Sequence, residues 1–446
     1  MKPVARLSPL LFSCIAALFV SCVPDQASGP RLAPSFDRST APGLDQACRD
    51  KPGNHLARRP NAPVELLCAM TLPPGSGPIV NGTKLWAEGG NLYVTELGNA
   101  GLYIWDAVSH DFVGFVGGMV GNVGAGGGTA TTNGQGPSSI VLSGDGHAWV
   151  SDGNSTVRVV DLATRQVIAS VNTSIAACDG GTATTHYCGR TNEITFDPEH
   201  RLVFVQNPSP LAVAAPHGAI DTYATFISAD PPYAKVGTIA FADRRGQEAP
   251  VWDPDQHRIL TAVSGRLAGT TVFPQYVAVI DPTVRPFTVE KHYDIDCFAL
   301  GLAATPGAVF GINDPALGPD GKMVIPGCGR ALITDVRTGA ITILPVGGGN
   351  ETWYNPGDGN FYVTGANFSI TPAGPNSLGV IDARSSTIRQ YVTALNATNP
   401  TAAAENNHIF AVVPANATTA TACTQFGAAV QTSGCILVFA HVPGSD

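Results

Sequence analysis

LYVTELGNAGLYIWDAVSHDFVGFV, from Leu92 to Val116, reads as three short strands, 92–96, 102–106 and 112–116, joined by tight polar turns. Apolar, β-branched and aromatic residues fill the strands, and Gly98, Asn99 and Gly101 mark the first break. The pattern recurs: HAWVSDGNSTVRVVDLATRQVIASV begins at His147, FYVTG at Phe361 and LGVIDARSSTIRQYV at Leu378. A strand–turn unit repeated at such a period cannot bury its faces alone and must stack against copies of itself, as a propeller blade does. The expected fold is therefore all-β: a single seven-bladed β-propeller.

The rest of the chain is consistent with that unit. In 446 residues there are 50 Gly and 35 Pro, only 13% of residues are charged, and no long run has helical periodicity. A closed repeat array can use this length as one domain. The net charge of -9 argues against nucleic acid as the partner, since phosphate contacts need clustered Lys and Arg.

Residues 1–22 read as a targeting segment. Lys2 and Arg6 precede an apolar run, 7–20, that is short for a membrane span. It ends in Leu18-Phe19-Val20-Ser21-Cys22, which resembles a bacterial lipobox; this implies an acylated Cys22 and a lipid-anchored envelope protein, with a secreted form as the alternative. Residues 23–62 are rich in Pro, Ser, Ala and Arg and read as a flexible tether, leaving 63–446 for the propeller. With Cys14 in the signal and Cys22 as anchor, Cys48, Cys68, Cys178, Cys188, Cys297, Cys328, Cys423 and Cys435 form an even set without a CxxC. Cys178–Cys188 and Cys423–Cys435 are the local pairs, and Cys48–Cys68 with Cys297–Cys328 follow by elimination. Disulfides place the protein in the periplasm or at the outer surface.

Seven blades can be laid out: 84–116, 138–172, 192–241, 248–295, 313–346, 350–393, and a last one from Thr398. The last supplies three strands. The orphan run VELLCAMTL, 64–72, is the candidate for its missing outer strand, which would close the ring and remove a sheet edge.

The pieces YVTELG with IWD, WVSDGN with VVD, and FYVTG with VID resemble the repeat of the YVTN-type (NHL/YVTN-like) β-propeller family. That resemblance implies a propeller over most of 63–446 and leaves activity open, because its members include surface, binding and cofactor-bearing proteins.

Candidate chemistry appears when inner strands are aligned on the turns at Pro198, Pro254, Pro319 and Pro356. Counting back six and five residues from each proline gives Asn192-Glu193, Glu248-Ala249, Asn313-Asp314 and Asn350-Glu351, with Gly82-Thr83, Ser138-Ser139 and Thr398-Asn399 in the other blades. Four carboxylates, Glu193, Glu248, Asp314 and Glu351, with Asn192, Asn313 and Asn350, then ring one mouth of the central channel. Such acids either hold protons or gather a cation, and oxygen donors suit Ca²⁺. The arrangement is similar to the channel calcium of paraoxonases and gluconolactonase-type propellers. The competing reading is that the acids cap strand starts around a hydrated channel. Glu248 stands one place earlier than the other acids, so it reaches the channel only if a bulge at Pro250 restores its direction.

Smaller candidates fit blander roles. His186 and His217 fall in long insertions. Asp152, Asp197 and Asp253 read as turn residues. The glycine-rich run 117–136 lacks a Walker Lys and reads as an inter-blade loop. Trp86, Trp252 and Trp353 read as packing between blades. No Gly-x-Ser-x-Gly elbow and no haem or nucleotide motif occurs, so neither cofactor is expected. The function expected is that of a monomeric binding module for an envelope protein or small molecule. The alternative is a Ca²⁺-dependent lactonase- or esterase-like hydrolase, whose metal polarises a carbonyl at the channel mouth.

Overall fold

The computed structural model describes residues 64–441 except 81–82, 122–135, 175–189, 208–221, 243–245, 269–270, 307–310, 365–376, 393–396, 416–422 and 424–432. Seven four-stranded antiparallel sheets form a β-propeller. In sequence order the blades occupy 84–116, 139–172, 194–241, 247–295, 316–347 and 351–392, and the seventh 398–441. Blade 4 carries an extra hairpin, Arg266–Ala268 with Thr271–Phe273, between its second and third strands.

The strands look apolar on both faces because both faces are buried. In Asn91–Glu96, Leu92 and Val94 pack toward blade 7, while Tyr93, on the opposite side of the strand, packs toward blade 2. In Leu202–Asn207, Phe204 packs toward blade 4 and Val203 and Val205 toward blade 2. The hydrophobic core is thus a ring of seams, each built from facing sides of neighbouring blades, with buried aromatics such as Trp105, Trp149 and Phe410 among them.

The aspartate that ends the third-strand motif has a definite task. Its Oδ1 accepts backbone N–H bonds in the turn to the outer strand: Asp106 from Val108 and Ser109, Asp161 from Thr164, Asp281 from Thr283, Asp335 from Arg337, and Asp382 from Ser385. Four residues after Asp106, Asp161, Asp335 and Asp382 the backbone turns left-handed, at His110, Arg165, Gly339 and Ser386. Only Gly339 escapes the cost of a Cβ there. The repeat signature is therefore a turn signature.

Ring closure is made by Val64–Met70, which pairs antiparallel with Cys435–His441 as the outer strand of blade 7. The sheet order runs from Thr398–Ala402 through Ile409–Val413 and Cys435–His441 to the N-terminal strand. Gln390, on the outer strand of blade 6, bridges to that strand: its Oε1 accepts from Val64 N at 2.6 Å and its Nε2 donates to Val64 O at 2.8 Å.

Two disulfides, Cys297–Cys328 and Cys423–Cys435, fix loops and point to an oxidising, non-cytoplasmic compartment. Cys68 is also disulfide-bonded; Cys22, Cys48, Cys178 and Cys188 lie outside the described residues. Among the described residues no helix is long and apolar enough to cross a membrane.

The long connections 122–135, 175–189, 208–221 and 365–376 all join strand ends on the face where the inner strands begin. That face also holds the polar ring.

Candidate functional site

Each blade's second strand sets the level of its inner strand. Thr95, Ser151 and Thr364, the third residues of YVT, WVS and YVT, pair with Lys84, Ser139 and Glu351. In blade 3 Gln206 takes that role beside Glu193, its N–H donating to Glu193 O at 3.0 Å. One ring level thus carries Lys84, Ser139, Glu193 and Glu351. The inner strands of blades 5 and 6 meet directly, Asp314 N donating to Asn350 O at 3.0 Å, which brings Asp314 to the same level.

Lys84 sits at the centre. Its Nζ lies 2.6 Å from Asp314 Oδ2 and 3.1 Å from Glu193 Oε1, and it also donates to Glu351 Oε1. Further hydrogen bonds hold each of the three acids. Glu193 Oε2 accepts from Ser139 Oγ at 2.8 Å, Asp314 Oδ1 from Ala249 N at 2.9 Å, and Glu351 Oε1 from Asn350 Nδ2 at 2.9 Å. The register slips between Glu248 and Val251, a bulge around Pro250, and Glu248 shares a hydrogen bond with Asp314. All four acids therefore converge on one mouth of the channel.

The charges sort themselves by burial. Burial and the negative Asp314 push Glu248 and Glu351 well above the ordinary carboxylate range, and push Glu193 up as well. Burial would raise Asp314 too, but Lys84 and hydrogen bonds from Glu351 and Ala249 N–H hold it well below. Burial opposes the charge of Lys84, yet Asp314, Glu193 and Glu351 hold it well above its usual value. The result is an ionised Asp314–Lys84 pair beside carboxyls biased toward their protonated form. A lysine so held is neither a nucleophile nor a base.

The other polar residues singled out from sequence divide. Asn350 joins the cluster, whereas the Asn313 amide donates to Gly349 O at 2.8 Å and the described bond of Asn192 is a backbone one to Gln206. Thr83 turns away, its hydroxyl donating to Val80 O and Glu96. Ser138 binds Thr191 O. Gly82, His186, His217 and the side chains of Thr398 and Asn399 lie outside the described residues. Asp197 and Asp253 organise turns, accepting from Glu199 and His200 and from Asp255 and Gln256. Asp152 instead takes Arg158 Nε at 2.7 Å and Val120 N, tying blade 2 to the connection from blade 1.

Behind the ring the channel opens into a cavity of about 470 Å³. Trp86, Trp252, Trp353 and Tyr354 line it, with prolines 250, 254, 315 and 319. The tryptophans were expected in the seams. They do touch the seam clusters, but they also present surface to the channel, with Trp86 and Trp353 edge-to-face at 4.8 Å. Sequence reasoning missed Lys84. Blade 1 lacks the proline turn used for alignment, and the second-strand YVT motif was the signal that would have placed it.

A second buried titratable pair locks blade 1 to blade 7. His110 Nε2 and His408 Nδ1 are 3.0 Å apart; Asn406 also reaches His408 Nδ1, and Phe410 abuts His110. Burial lowers His110 to about 4 despite Asp106 and Asp111, and burial with the neighbouring imidazole lowers His408 to about 3. Depressed histidines stabilise the fold above pH 6.5 and lose that contribution as pH falls toward their folded values, because the unfolded chain takes up protons first. From pH 7.5 to 5.5 the pair should cost about 2–3 kcal/mol in unfolding free energy. Urea titrations at both pH values, on the native chain and on His110→Asn/His408→Gln, check this. An equal pH response in both chains would remove the histidines from the account.

Fold and site together define a seven-bladed β-propeller whose channel carries a lysine-centred carboxylate cluster at one mouth. Compared with protein-family models and with curated proteins, the chain matches none of either.

Proposed function

We propose that the chain is a binding propeller of YVTN type, exported and held at the cell envelope by a lipid on Cys22, that takes a small ligand in its central channel and performs no reaction of its own. The observation that carries this reading is the aromatic cavity ending on a cluster whose charges are already matched by Lys84. A volume of about 470 Å³ lies in the range of small-molecule sites, and half-exposed aromatics with a few polar groups at one end are their usual lining. Lys84 fills from within the chain the place of a neutralising cation.

The second reading is a Ca²⁺-dependent lactonase- or esterase-like hydrolase. The convergence of Glu193, Glu248, Asp314 and Glu351, with Asn350 beside them and Asn192 and Asn313 close by in sequence, favours it. These are oxygen donors of the kind a hard ion takes, and an ion bound there would polarise a substrate carbonyl once it displaced the Lys84 ammonium or the carboxyl protons; among the described residues no three acids are spaced to hold one as they stand.

Melting the purified protein with excess Ca²⁺ and with chelator separates the two, because a ligand that binds only the folded state must raise the melting temperature. The binding reading expects a melting temperature indifferent to both, and no turnover of lactones or esters. A rise with Ca²⁺ that Asp314→Asn/Glu351→Gln abolishes, together with Ca²⁺-dependent turnover, would replace it by the hydrolase. Mass analysis of the mature N-terminus decides the lipid: an unmodified residue there removes the anchor from the proposal.

A further inference from the structure

Taking the channel as a ligand site, the composition of its wall narrows the ligand. Three acidic side chains reach the cavity, Glu193, Asp314 and Glu351, beside the single ammonium of Lys84. The indoles of Trp86 and Trp353 meet at 88°, forming a corner of two perpendicular aromatic walls beside those acids. Trp86 is held in place by its own bond, Nε1 to Glu88 Oε2 at 2.7 Å. Two polar atoms at the wall are buried without a hydrogen-bond partner: the hydroxyl of Thr352, a residue only 8% exposed, and Trp353 Nε1. Buried polar groups left unpaired cost about 1–3 kcal/mol each; the Thr352 hydroxyl can accept from an ammonium N–H, whereas the indole N–H, a donor only, takes a water.

We propose that the central channel binds an organic ammonium ion, a primary or methylated amine on an apolar body. The body lies along the tryptophan and proline walls, and the charged head sits in the Trp86–Trp353 corner against Glu351, Asp314 and Glu193. Aromatic faces are negative and attract a cation, more strongly where water is excluded. An anionic ligand would meet the ionised Asp314 and oppose ionisation of the two carboxyls beside it, and a neutral one would gain nothing from them. Lys84 does not saturate the ring, because its one ammonium is shared among Asp314, Glu193 and Glu351. A second cation favours the ionised form of these carboxyls, so uptake of the ammonium is coupled to proton release and affinity rises with pH until the amine itself deprotonates.

The test uses the full chain and the emission of its channel tryptophans, titrated at pH 7.5 with 4-phenylbutylamine, 4-phenylbutanol and 4-phenylbutyrate. The amine should bind about tenfold tighter than the alcohol, and the carboxylate weakest. Glu351→Gln should remove that preference while leaving the alcohol's affinity unchanged, and Trp353→Ala should weaken both. Glu193→Gln serves if Glu351→Gln fails to melt as a folded protein. Calorimetry in two buffers of different ionisation enthalpy should register proton release with the amine alone. If the alcohol or carboxylate binds as tightly as the amine, the ammonium assignment is overturned and the channel site stands. If none of the three binds, the channel-ligand reading falls with it.

Discussion

Removing residues 63–72 should abolish cooperative folding of the propeller. The strand Val64–Met70 is the only source of an outer strand for blade 7 among the described residues, and it buries Val64, Leu67, Cys68, Ala69 and Met70 to within 8% exposure. Three large side chains alone are worth about 6 kcal/mol at about 2 kcal/mol each. That is comparable with the whole net stability of a folded chain, about 5–15 kcal/mol. The loss also frees the outer edge of Cys435–His441, a row of unpaired N–H and C=O groups in a strand buried along its full length, so aggregation should follow. A chain beginning at Pro78 should give no sigmoidal melt. Because Cys68 is disulfide-bonded, the full chain carrying Leu67→Asp and Met70→Asp tests the strand with that bond available, and it should lose the same cooperativity. Native-like melting of either protein would mean that the ring closes without its N-terminal strand.

What could be read in the chain, and what could not, follows from where each signal lives. Blade count and closure were legible because a turn needs particular residues: the aspartates at 106, 161, 335 and 382 accept backbone N–H groups at fixed offsets, so the period shows through. The acid positions were legible as residue types at a common offset, but their partner was not. Lys84 belongs to the blade whose inner strand ends in Glu88-Gly89-Gly90 rather than Asp-Pro, so counting from the turn lands on Thr83, which points to Glu96 instead. Pairing against Thr95 fixes the level correctly, and pairing is a tertiary fact. The placement of Glu248 depends on a bulge that only the register between Glu248 and Val251 reveals. Trp86, Trp252 and Trp353 do pack in the seams as expected, but the surface they turn to the channel was not legible, for a related reason. In a propeller both sheet faces are buried, so alternation does not distinguish a residue in a seam from one at the inner edge that also lines the channel.

Replacing Lys84 by methionine should cost about 4 kcal/mol at pH 7.5 and much less at pH 5. The ammonium is the shared partner of Asp314, Glu193 and Glu351, and its side chain is only 17% exposed. Breaking a buried ion pair by removing one partner leaves uncompensated charge, typically at about 3–5 kcal/mol. The sign of the pH effect follows from the acids. Glu248, Glu351 and Glu193 already have folded values above their unfolded ones, and without Lys84 they and Asp314 move higher. A carboxyl raised in the folded state weakens the fold when pH is high enough to ionise it in the unfolded chain. As pH falls through the raised value the folded chain binds more protons than the unfolded one, and stability returns. The native chain, with Lys84 in place, should recover less over the same range. The histidine pair pulls the other way in both proteins, so the difference between native and variant free energies at each pH cancels it. Urea unfolding at pH 7.5 and 5 supplies the four values. Adding Glu351→Gln to Lys84→Met should restore part of the loss at pH 7.5, because it removes one of the raised carboxyls whose ionisation favours the unfolded chain. A Lys84→Met chain as stable as the native one at pH 7.5, or one equally weakened at both pH values, would show that the lysine does not neutralise the ring, and the four acids would then need another cation to explain their convergence.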